Sequence, residues 1–320
     1  MTGFFGRVRA LRARGVLGIN RRNAEFVLPH NPRRHYPRVD DKLLTKQLAE
    51  TVGIPVPRSL GVIAYHHQLR HLARMLEGEQ EFVLKPVRGA QGNGIVVVDA
   101  VDDGHYCKAG GTRLSAEELR QHAANVLAGL FSFHGEADQC LIEARVALHP
   151  RFRDISRHGI PDVRVLVFRG VPVMAMCRLP TVASGGRANL HQGAIGVGLD
   201  IHKGRALYAE HHNLPVATHI DTGAPVIGFE VPAWEEILSL AARASEISGL
   251  TYLGVDLVVD ARHGPLLLEL NARPGLAIQI ANNEGLLPRL RQVAALPAAA
   301  LTTWEARCRI ARELFARSGS

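Results

Sequence analysis

The sequence predicts a globular chain of mixed class, α+β or α/β, with its helices and strands divided among two or three lobes. Its 320 residues are 47% hydrophobic and 5% aromatic, which is enough apolar content to bury a large core. Helical and strand patterns alternate along the chain without an internal repeat. A repeat architecture is therefore not expected.

The first 40 residues carry almost all of the net charge. Nine arginines stand there against Glu25 and Asp40, a local balance of +7 out of a formal +8. Such an arm suits nucleic acid, anionic lipid or an acidic protein, although the lack of interleaved aromatics and of a nucleic-acid motif disfavours direct nucleic-acid binding. The alternative is a solvated, partly helical arm, or one that packs on the core or on a second subunit. The arginines are Arg7, Arg9, Arg12, Arg14, Arg21, Arg22, Arg33, Arg34 and Arg38.

A capped helix is predicted next, within residues 40–57. Asp40 is the expected N-cap, and Gly53 is expected to end the helix shortly before a proline. Lys42 and Lys46 fall on one face of it, because they are four residues apart.

Local patterns define the remaining elements. Ser115 and Glu118 form a capping box at the start of a further helix. The other expected elements are a helical stretch near 66–77, strands at 81–86, 95–99, 139–146, 162–169 and 171–179, a polar glycine-rich segment at 183–198, a helix from Pro232 and a helical tail after 290.

A lysine and three glycines meet at the end of the first strong strand. Lys85 is followed by Gly89, Gly92 and Gly94 in "VLKPVRGAQGNG". Glycines let backbone N–H groups approach a polyphosphate, and the lysine adds positive charge. The segment lacks the P-loop pattern, however, and a glycine-rich hairpin that only turns the chain is an equal alternative.

Charged residues alternate on a later strand. Asp162 and Arg164 project to one side of it, and Arg187 and Asn189 repeat the same spacing in a glycine-bounded segment. Arginine suits a carboxylate or phosphate, so this group could bind an anion. Ordinary surface pairing of arginine with aspartate is the alternative.

The segment 254–276 contains the strongest chemical pattern. If its two strands are joined by a two-residue loop at 262–263, Asp256 lies opposite Glu269 and Asn271 shares their face. Two carboxylates and an amide oxygen suit a hard cation such as magnesium, and the alternative is the solvated face of an ordinary hairpin. The opposite, buried face is expected to hold Val255, Leu257, Val259, Leu266, Leu268 and Leu270.

Composition also bears on location. No apolar run approaches the ~20 residues needed to span a bilayer, and no apolar core follows the N-terminal arginines as in a secretory signal. The four cysteines are scattered without a CxxC pair, which argues against a disulfide framework or a thiolate zinc site. We therefore expect a cytoplasmic protein.

Together these segments resemble the ATP-grasp superfamily of carboxylate–amine ligases, over about residues 36–285. The resemblance lies in "DDKLLTK…GIPVP", "VLKPVRGAQGNG" and "GVDLVV…GPLLLELNARPGL". It is closest to the α-L-glutamate ligases that add glutamate to a ribosomal protein tail or to cofactors, through "DVR", "RANLHQG" and "NARPG".

The resemblance implies two α+β lobes that clasp ATP between antiparallel sheets. It divides the chain into a basic N-terminal arm, a lid lobe with the phosphate flap, a second lobe with the metal hairpin, and a helical tail. These parts are expected at 1–39, 40–145, 146–290 and 291–320.

The resemblance also assigns roles to single residues. Asp256, Glu269 and Asn271 are implied to bind magnesium, or manganese in its place. ATP would be held by Lys42 and Lys85 with Gly92 and Gly94 at its phosphates, by Glu143, Ala144 and Arg145 at its adenine, and by Asp162 beside the nucleotide. Arg164, Arg187 and Asn189 are implied to surround the reacting carboxylate and phosphates.

The chain departs from these ligases in three respects. They carry a longer α/β domain before the lid than the roughly 40 residues present here, so a second subunit or a partner protein is expected to complete that side. Glu143 stands one position earlier than the usual glutamate of the adenine segment. Arg273 replaces a small residue and is expected to reach an acidic acceptor.

The implied activity is ATP- and Mg-dependent formation of an amide bond through an acylphosphate. Its substrates would be an amino acid, glutamate or another, and an acidic peptide or small molecule. Two alternatives remain open: a non-catalytic, ATP-binding regulatory protein of the same fold, and a basic adaptor for ribosome or nucleic acid.

Overall fold

Two antiparallel sheets, each with its own helices and its own buried cluster, form the fold. The α+β class and the two-lobed architecture are thereby confirmed. The computed structural model describes residues 4–89, 92–108, 111–132, 135–157 and 159–316.

The first sheet forms the smaller lobe. Its strands are β1 (Ser59–Ile63), β2 (Phe82–Pro86), β3 (Val96–Asp102), β4 (His105–Lys108), β5 (Arg113–Leu114) and β6 (Cys140–Ala144). The strand order is β1-β6-β2-β3-β4-β5, so β6 lies between β1 and β2. A 3₁₀ turn at His66–His71 with α6 (Leu72–Met75), and α7 (Ala116–Leu127), belong to this lobe. Helix α7 buries Leu119, Ala123 and Val126, and its N-terminus has the predicted Ser115–Glu118 capping box.

The second sheet forms the larger lobe. Its strands are β7 (Asp162–Phe168), β8 (Val171–Leu179), β9 (Ile195–Leu199), β10 (Ala206–His211), β11 (Leu214–Pro215), β12 (Tyr252–Asp260) and β13 (Gly264–Asn271). The strand order is β11-β10-β9-β8-β7-β12-β13. Its helices are α8 (Trp234–Ser248), α9 (Ile278–Ala281), α10 (Leu287–Ala294) and α11 (Trp304–Phe315). Strand β9 begins inside the segment 183–198, which the sequence pattern predicted only as polar and glycine-rich.

The N-terminal segment packs on the larger lobe. Its helices are α1 (Phe4–Ala13), α2 (Ile19–Arg22), α3 (Leu28–His30), α4 (Pro37–Asp40) and α5 (Lys42–Thr51). Leu17, Phe26 and Val27 are buried in the larger core. The sequence left open whether this basic arm is solvated, packs on the core or packs on a second subunit. In the described residues it packs on the core.

The start of the predicted lid lobe also belongs to the larger lobe. Helix α5 contacts α8 and β13, and Ala49 and Ile54 lie in the larger core. The smaller core instead begins near residue 60. The predicted division at residue 40 therefore does not separate the two cores. The N-cap of α5 is Asp41, which accepts from Leu44 N at 2.9 Å, whereas the predicted cap Asp40 ends α4.

The hairpin of β12 and β13 has the predicted pairing at its functional end, but for a different reason. The loop has three residues, 261–263, and not two. A β-bulge after Asp256 shifts the register by one, so Asp256 still pairs with Glu269 while Leu257 pairs with Leu267. Leu267 therefore lies in the core, and the predicted core residue Leu268 is only partly buried.

No helix within the described ranges is both long enough and apolar enough to cross a membrane.

Asn31 joins the N-terminal segment to the hairpin. Its side-chain amide donates to the carbonyls of Tyr252 and Ala272 at 2.7 and 2.9 Å, and its oxygen accepts from Tyr252 N at 3.0 Å. All of this is buried, because Asn31 is only 2% exposed.

We expect Asn31→Ala to lower the free energy of unfolding by about 3 kcal/mol, because it leaves buried backbone groups without partners. Urea unfolding would measure the loss. Asn20→Ala, at an exposed position of α2, is the matched control and should change stability by less than about 0.5 kcal/mol. Equal losses for the two variants would contradict the role of Asn31.

Candidate active site

The predicted metal residues lie on one face of the second sheet. Asp256 pairs with Glu269 across the hairpin and with Arg164 on β7, so strand register alone brings these three side chains together. Asp256 is 1% exposed, whereas Glu269 and Asn271 are partly buried. Arg164 forms two parallel hydrogen bonds with Asp256. Its Nε donates to Oδ1 at 2.6 Å, and its Nη2 donates to Oδ2.

Arg178 extends this pair into a chain of alternating charges. It lies across from Asp162 in the β7–β8 ladder and donates to both oxygens of that carboxylate. Its Nη2 also donates to Asp256 Oδ2 at 3.0 Å. The sequence pattern identified Asp162 and Arg164 but missed Arg178, which stands among apolar residues of β8 and is brought to the site only by cross-strand pairing.

Asp162 and Asp256, the two aspartates of this charge network, have pKa values shifted in opposite directions. Burial raises the pKa of Asp162 to about 6, against the opposing attraction of Arg178. Burial also acts to raise the pKa of Asp256, but Arg164 and Arg178 outweigh it and hold that pKa well below its usual range. Asp256 is therefore the carboxylate that stays ionised.

The oxygen atoms of Asp256, Glu269 and Asn271 could bind a divalent cation if the hydrogen bond from Asn271 to Asp256 were broken. Asp256 accepts four hydrogen bonds, two from Arg164, one from Arg178 and the longest, 3.3 Å, from Asn271 Nδ2. Turning the Asn271 amide would free a lone pair of Asp256 and present Oδ1 beside it. Glu269 lies directly across the hairpin from Asp256, so the two carboxylates face the same side of the sheet.

The hairpin supplies only part of a coordination shell. Within the described ranges, no three His, Cys, Asp or Glu side chains come together as a metal cluster. Two carboxylates and one amide oxygen leave the other positions of an octahedral ion to water and phosphate oxygens, which is how magnesium is commonly held beside a nucleotide.

Glu143 has a different environment from the one expected of an adenine contact. Its carboxylate is 3% exposed and ion-paired with Lys46 and with Lys85, whose Nζ is 2.5 Å away. The attraction of these lysines outweighs burial and lowers the pKa of Glu143. Glu143 thus holds two ammonium groups in place, and Lys46, which shares a helix face with Lys42, is a site residue that the prediction left out.

The other two predicted adenine residues also have partners within the protein. The backbone N–H of Ala144 donates to Arg58 O at 2.9 Å. The Arg145 side chain is ion-paired with Glu81 and Asp99. Both groups are engaged at the end of β6 and would have to exchange these partners to bind a base.

Lys42 connects the glycine flap to the acidic hairpin. Its Nζ donates to Gly89 O at 2.5 Å and to Val87 O at 3.3 Å. Burial lowers the pKa of Lys42, and Glu269 is the largest of the charges that oppose this. The ammonium is therefore bonded to the flap backbone and is influenced by the charge of Glu269.

The flap has a backbone that requires glycine. Gly92 and Gly94 have φ of 78° and 74°, and a Cβ on Gly94 would lie 2.5 Å from the ring of Phe131. A Cβ on Gly92 would be 3.7 Å from Arg187 Cδ, so this arginine of the larger lobe reaches the flap. Arg187 itself is exposed.

The loop that carries Arg187 and Asn189 is held by one buried and two exposed hydrogen bonds. His219, 1% exposed, faces Pro180 O through Nε2 at 3.0 Å, and Asp221 accepts from Val182 N at 2.8 Å. Asn189 caps the 3₁₀ turn Leu190–Gln192 by accepting from His191 N. The sequence offered no signal for His219, since its partner is 39 residues away.

Arg273 lies apart from this network. It is exposed, and its guanidinium packs over the ring of Tyr36 at 5.2 Å from the centroid. The structure thus shows a cation–π contact with the N-terminal segment.

A family model and several known proteins are similar in sequence to this chain. The family model described as "Sugar-transfer associated ATP-grasp" matches residues 21–295. A probable alpha-L-glutamate ligase of Syntrophotalea carbinolica is 25% identical over 241 residues, 75% of this chain and 57% of that protein. A ribosomal protein bS6–L-glutamate ligase of Salmonella paratyphi B is 27% identical over 239 residues, again 75% and 57%. The chain thus spans less than two thirds of the length of these relatives.

Among solved structures, the ATP-grasp ligase PsnB complexed with a minimal precursor is similar over 86% of this chain and 63% of its own, with a TM-score of 0.48 and 17% identity.

The Lys46–Glu143–Lys85 group leads to a stability prediction. Glu143→Ala should lower the free energy of unfolding by about 3–5 kcal/mol, because it leaves two buried ammonium groups without their counter-ion. Chemical denaturation would measure it. Glu79→Ala, which breaks an ion pair with the 64% exposed Arg58 side chain, should cost less than about 1 kcal/mol. A Glu143 variant as stable as the Glu79 variant would show that the buried pairing is not required.

Proposed function

The chain belongs to the sugar-transfer associated ATP-grasp family, and from this premise we propose that it is an ATP- and Mg-dependent carboxylate–amine ligase. The observation that carries the proposal is the position of Lys42, whose ammonium bonds the flap carbonyls on one side and is attracted by Glu269 on the other. A cationic, glycine-lined flap facing an acidic hairpin suits a triphosphate with its metal ion.

The proposed reaction has two steps that balance without another reactant. A substrate carboxylate oxygen attacks the γ-phosphorus of ATP, the bond from that phosphorus to the bridging oxygen breaks, and ADP leaves with an acylphosphate remaining. An amine then attacks the acyl carbon, loses a proton, and inorganic phosphate departs with the C–O electron pair. The product is an amide.

Residues of the site divide this work. Asp256, Glu269 and Asn271 would hold the cation, which when bound neutralises phosphate charge. Lys42 and Lys85 would contact the phosphates, and the backbone N–H groups around Gly92 and Gly94 would cover them. Glu143 keeps Lys85 in place.

Arginines complete the proposed arrangement around the transferred group. Arg164 is oriented by Asp256 and would present its remaining N–H groups to the reacting oxygens. Arg187 and Asn189 would approach from the loop that meets the flap. Asp162 acts through Arg178, which it holds against Asp256.

The names of two relatives favour glutamate as one substrate. The test is phosphate release from Mg·ATP across the twenty amino acids and a set of acidic peptides. Stimulation by glutamate supports the glutamate-ligase assignment, and stimulation by another amino acid changes the substrate while keeping the reaction class. ATP binding without stimulated phosphate release by any of them would instead indicate a non-catalytic ATP-binding protein.

A single substitution tests the cation site. Glu269→Gln should reduce ADP formation at least ~100-fold, because it removes a charge that balances the metal and the developing phosphate charge. The fold should be retained, as checked by circular dichroism and thermal unfolding.

Glu313→Gln is the matched control, since Glu313 is exposed on α11 and should leave turnover unchanged. A Glu269 variant with wild-type turnover would overturn the metal assignment.

A further inference from the structure

Exposed aliphatic side chains are grouped where the N-terminal segment packs on α9. Leu11 on α1, Ile19 at the start of α2 and Ile280 on α9 are 50%, 63% and 45% exposed. Single exposed aliphatic residues are ordinary, whereas several in one region bordered by charge are typical of a contact site for a protein or a membrane. The contacts around these three residues decide which case applies.

Hydrogen bonds bring the three aliphatic residues into one region. Gln279, on α9, bonds the backbone N–H and carbonyl of Leu17 at 2.8 and 3.1 Å, which places α9 beside the start of α2. Arg14 Nη2 donates to Asn283 Oδ1 at 3.1 Å, which joins the turn after Leu11 to the turn after α9. Because Leu17 is buried in the larger core, this region is anchored to the larger lobe.

Arginines border the apolar face of α1. Val8 and Leu11, three residues apart, share one face of this helix. Arg12 and Arg14 fall on opposite sides of that face. Together with Arg9 they are exposed, and none of the three forms an ion pair with a residue that the structure describes. The region is therefore both apolar and basic.

Acidic residues do not offset this charge. Residues 1–24 contain no aspartate or glutamate. Glu25 and Glu284 are the acidic residues that follow these contacts in sequence, and each has an arginine partner. Glu25 accepts from Arg21 at 2.7 Å, and Glu284 accepts from Arg289 at 2.8 Å. Each of these pairs is neutral as a whole, so the three exposed arginines set the charge of the surface.

We infer that this surface binds the face of an anionic lipid bilayer, with α1 lying in the plane of the interface. The aliphatic side chains enter the boundary of the acyl chains, and the guanidinium groups contact lipid phosphates. A nucleic acid offers the same phosphate charge but no apolar phase, so it would leave Leu11, Ile19 and Ile280 in water. The inference is independent of the proposed ligase reaction, which uses no residue of α1, α2 or α9.

The test is sedimentation of the full chain with vesicles. Those made of phosphatidylcholine and phosphatidylglycerol at about 3:1 should bind the wild-type chain at least ~10-fold more tightly than those of phosphatidylcholine alone, and high salt should remove the difference. Arg9→Gln with Arg12→Gln should weaken binding to the anionic vesicles at least ~10-fold, because two of the contacting charges are lost. Leu11→Ser with Ile19→Ser should weaken it at least ~10-fold, because less apolar surface is buried.

Matched controls remove the same groups from exposed positions outside this surface. Arg74→Gln with Arg309→Gln lowers the net charge by the same amount, on α6 and α11. Leu130→Ser removes a 68% exposed leucine from the smaller lobe. Both controls should bind the anionic vesicles like the wild type. Circular dichroism and thermal unfolding should show that all of the variants are folded.

Three results would overturn the inference. The first is equal binding of the wild-type chain to anionic and neutral vesicles, or binding to neither. The second is an arginine variant that binds like its charge control. The third is binding that the arginine variant weakens and the Leu11→Ser, Ile19→Ser variant does not, together with equally tight binding of single-stranded RNA. That third result would identify a surface for polyphosphates and not for a bilayer.

Discussion

Two carboxylates buried on one face of the larger sheet constrain the architecture of the site. Asp162 and Asp256 are 7% and 1% exposed, and a buried carboxylate is stable as an anion only with a charged, hydrogen-bonded partner. Arg164 and Arg178 are these partners. Because Arg178 touches both aspartates, β7, β8 and β12 must keep one register, and a slip of one residue would move each charge to the apolar face.

The N-terminal segment packs against the hairpin that carries Asp256 and against the residues that follow it. The hairpin that carries Asp256 continues into the segment 272–287, and three side chains fix this segment. Asn31 donates to the carbonyls of Tyr252 on β12 and of Ala272, the residue after β13. Arg22 donates to Pro274 O at 2.8 Å, and Gln279 bonds both backbone groups of Leu17. Arg22 of the basic arm therefore has a structural role. The net charge of the arm overstates the number of arginines that a partner could contact.

The features of the fold and site that could be predicted from the sequence are those set by residues close together along the chain. The Ser115–Glu118 capping box and strands β2, β7 and β8 follow from residues a few positions apart, and the sequence pattern predicted them. The pairing of Asp256 with Glu269 was predicted from a two-residue loop, and it occurs because a longer loop and a bulge cancel. Arg178 and His219 depend on partners 78 and 39 residues away, for which one sequence contains no signal.

The buried lysines of the site bear on the proposed binding of a polyanion. An ammonium group has three N–H donors. Lys42 gives two to flap carbonyls, and Lys85 shares the carboxylate of Glu143 with Lys46. The negative charges around these three lysines are the buried Glu143 and Asp138 and the partly buried Glu269. Burying an ammonium group lowers stability, and burial is the main cause of the lowered pKa of Lys42 and of Lys46. Under the proposed function, phosphate oxygens entering between flap and hairpin would add negative charge beside these lysines and would stabilise the folded chain by binding it.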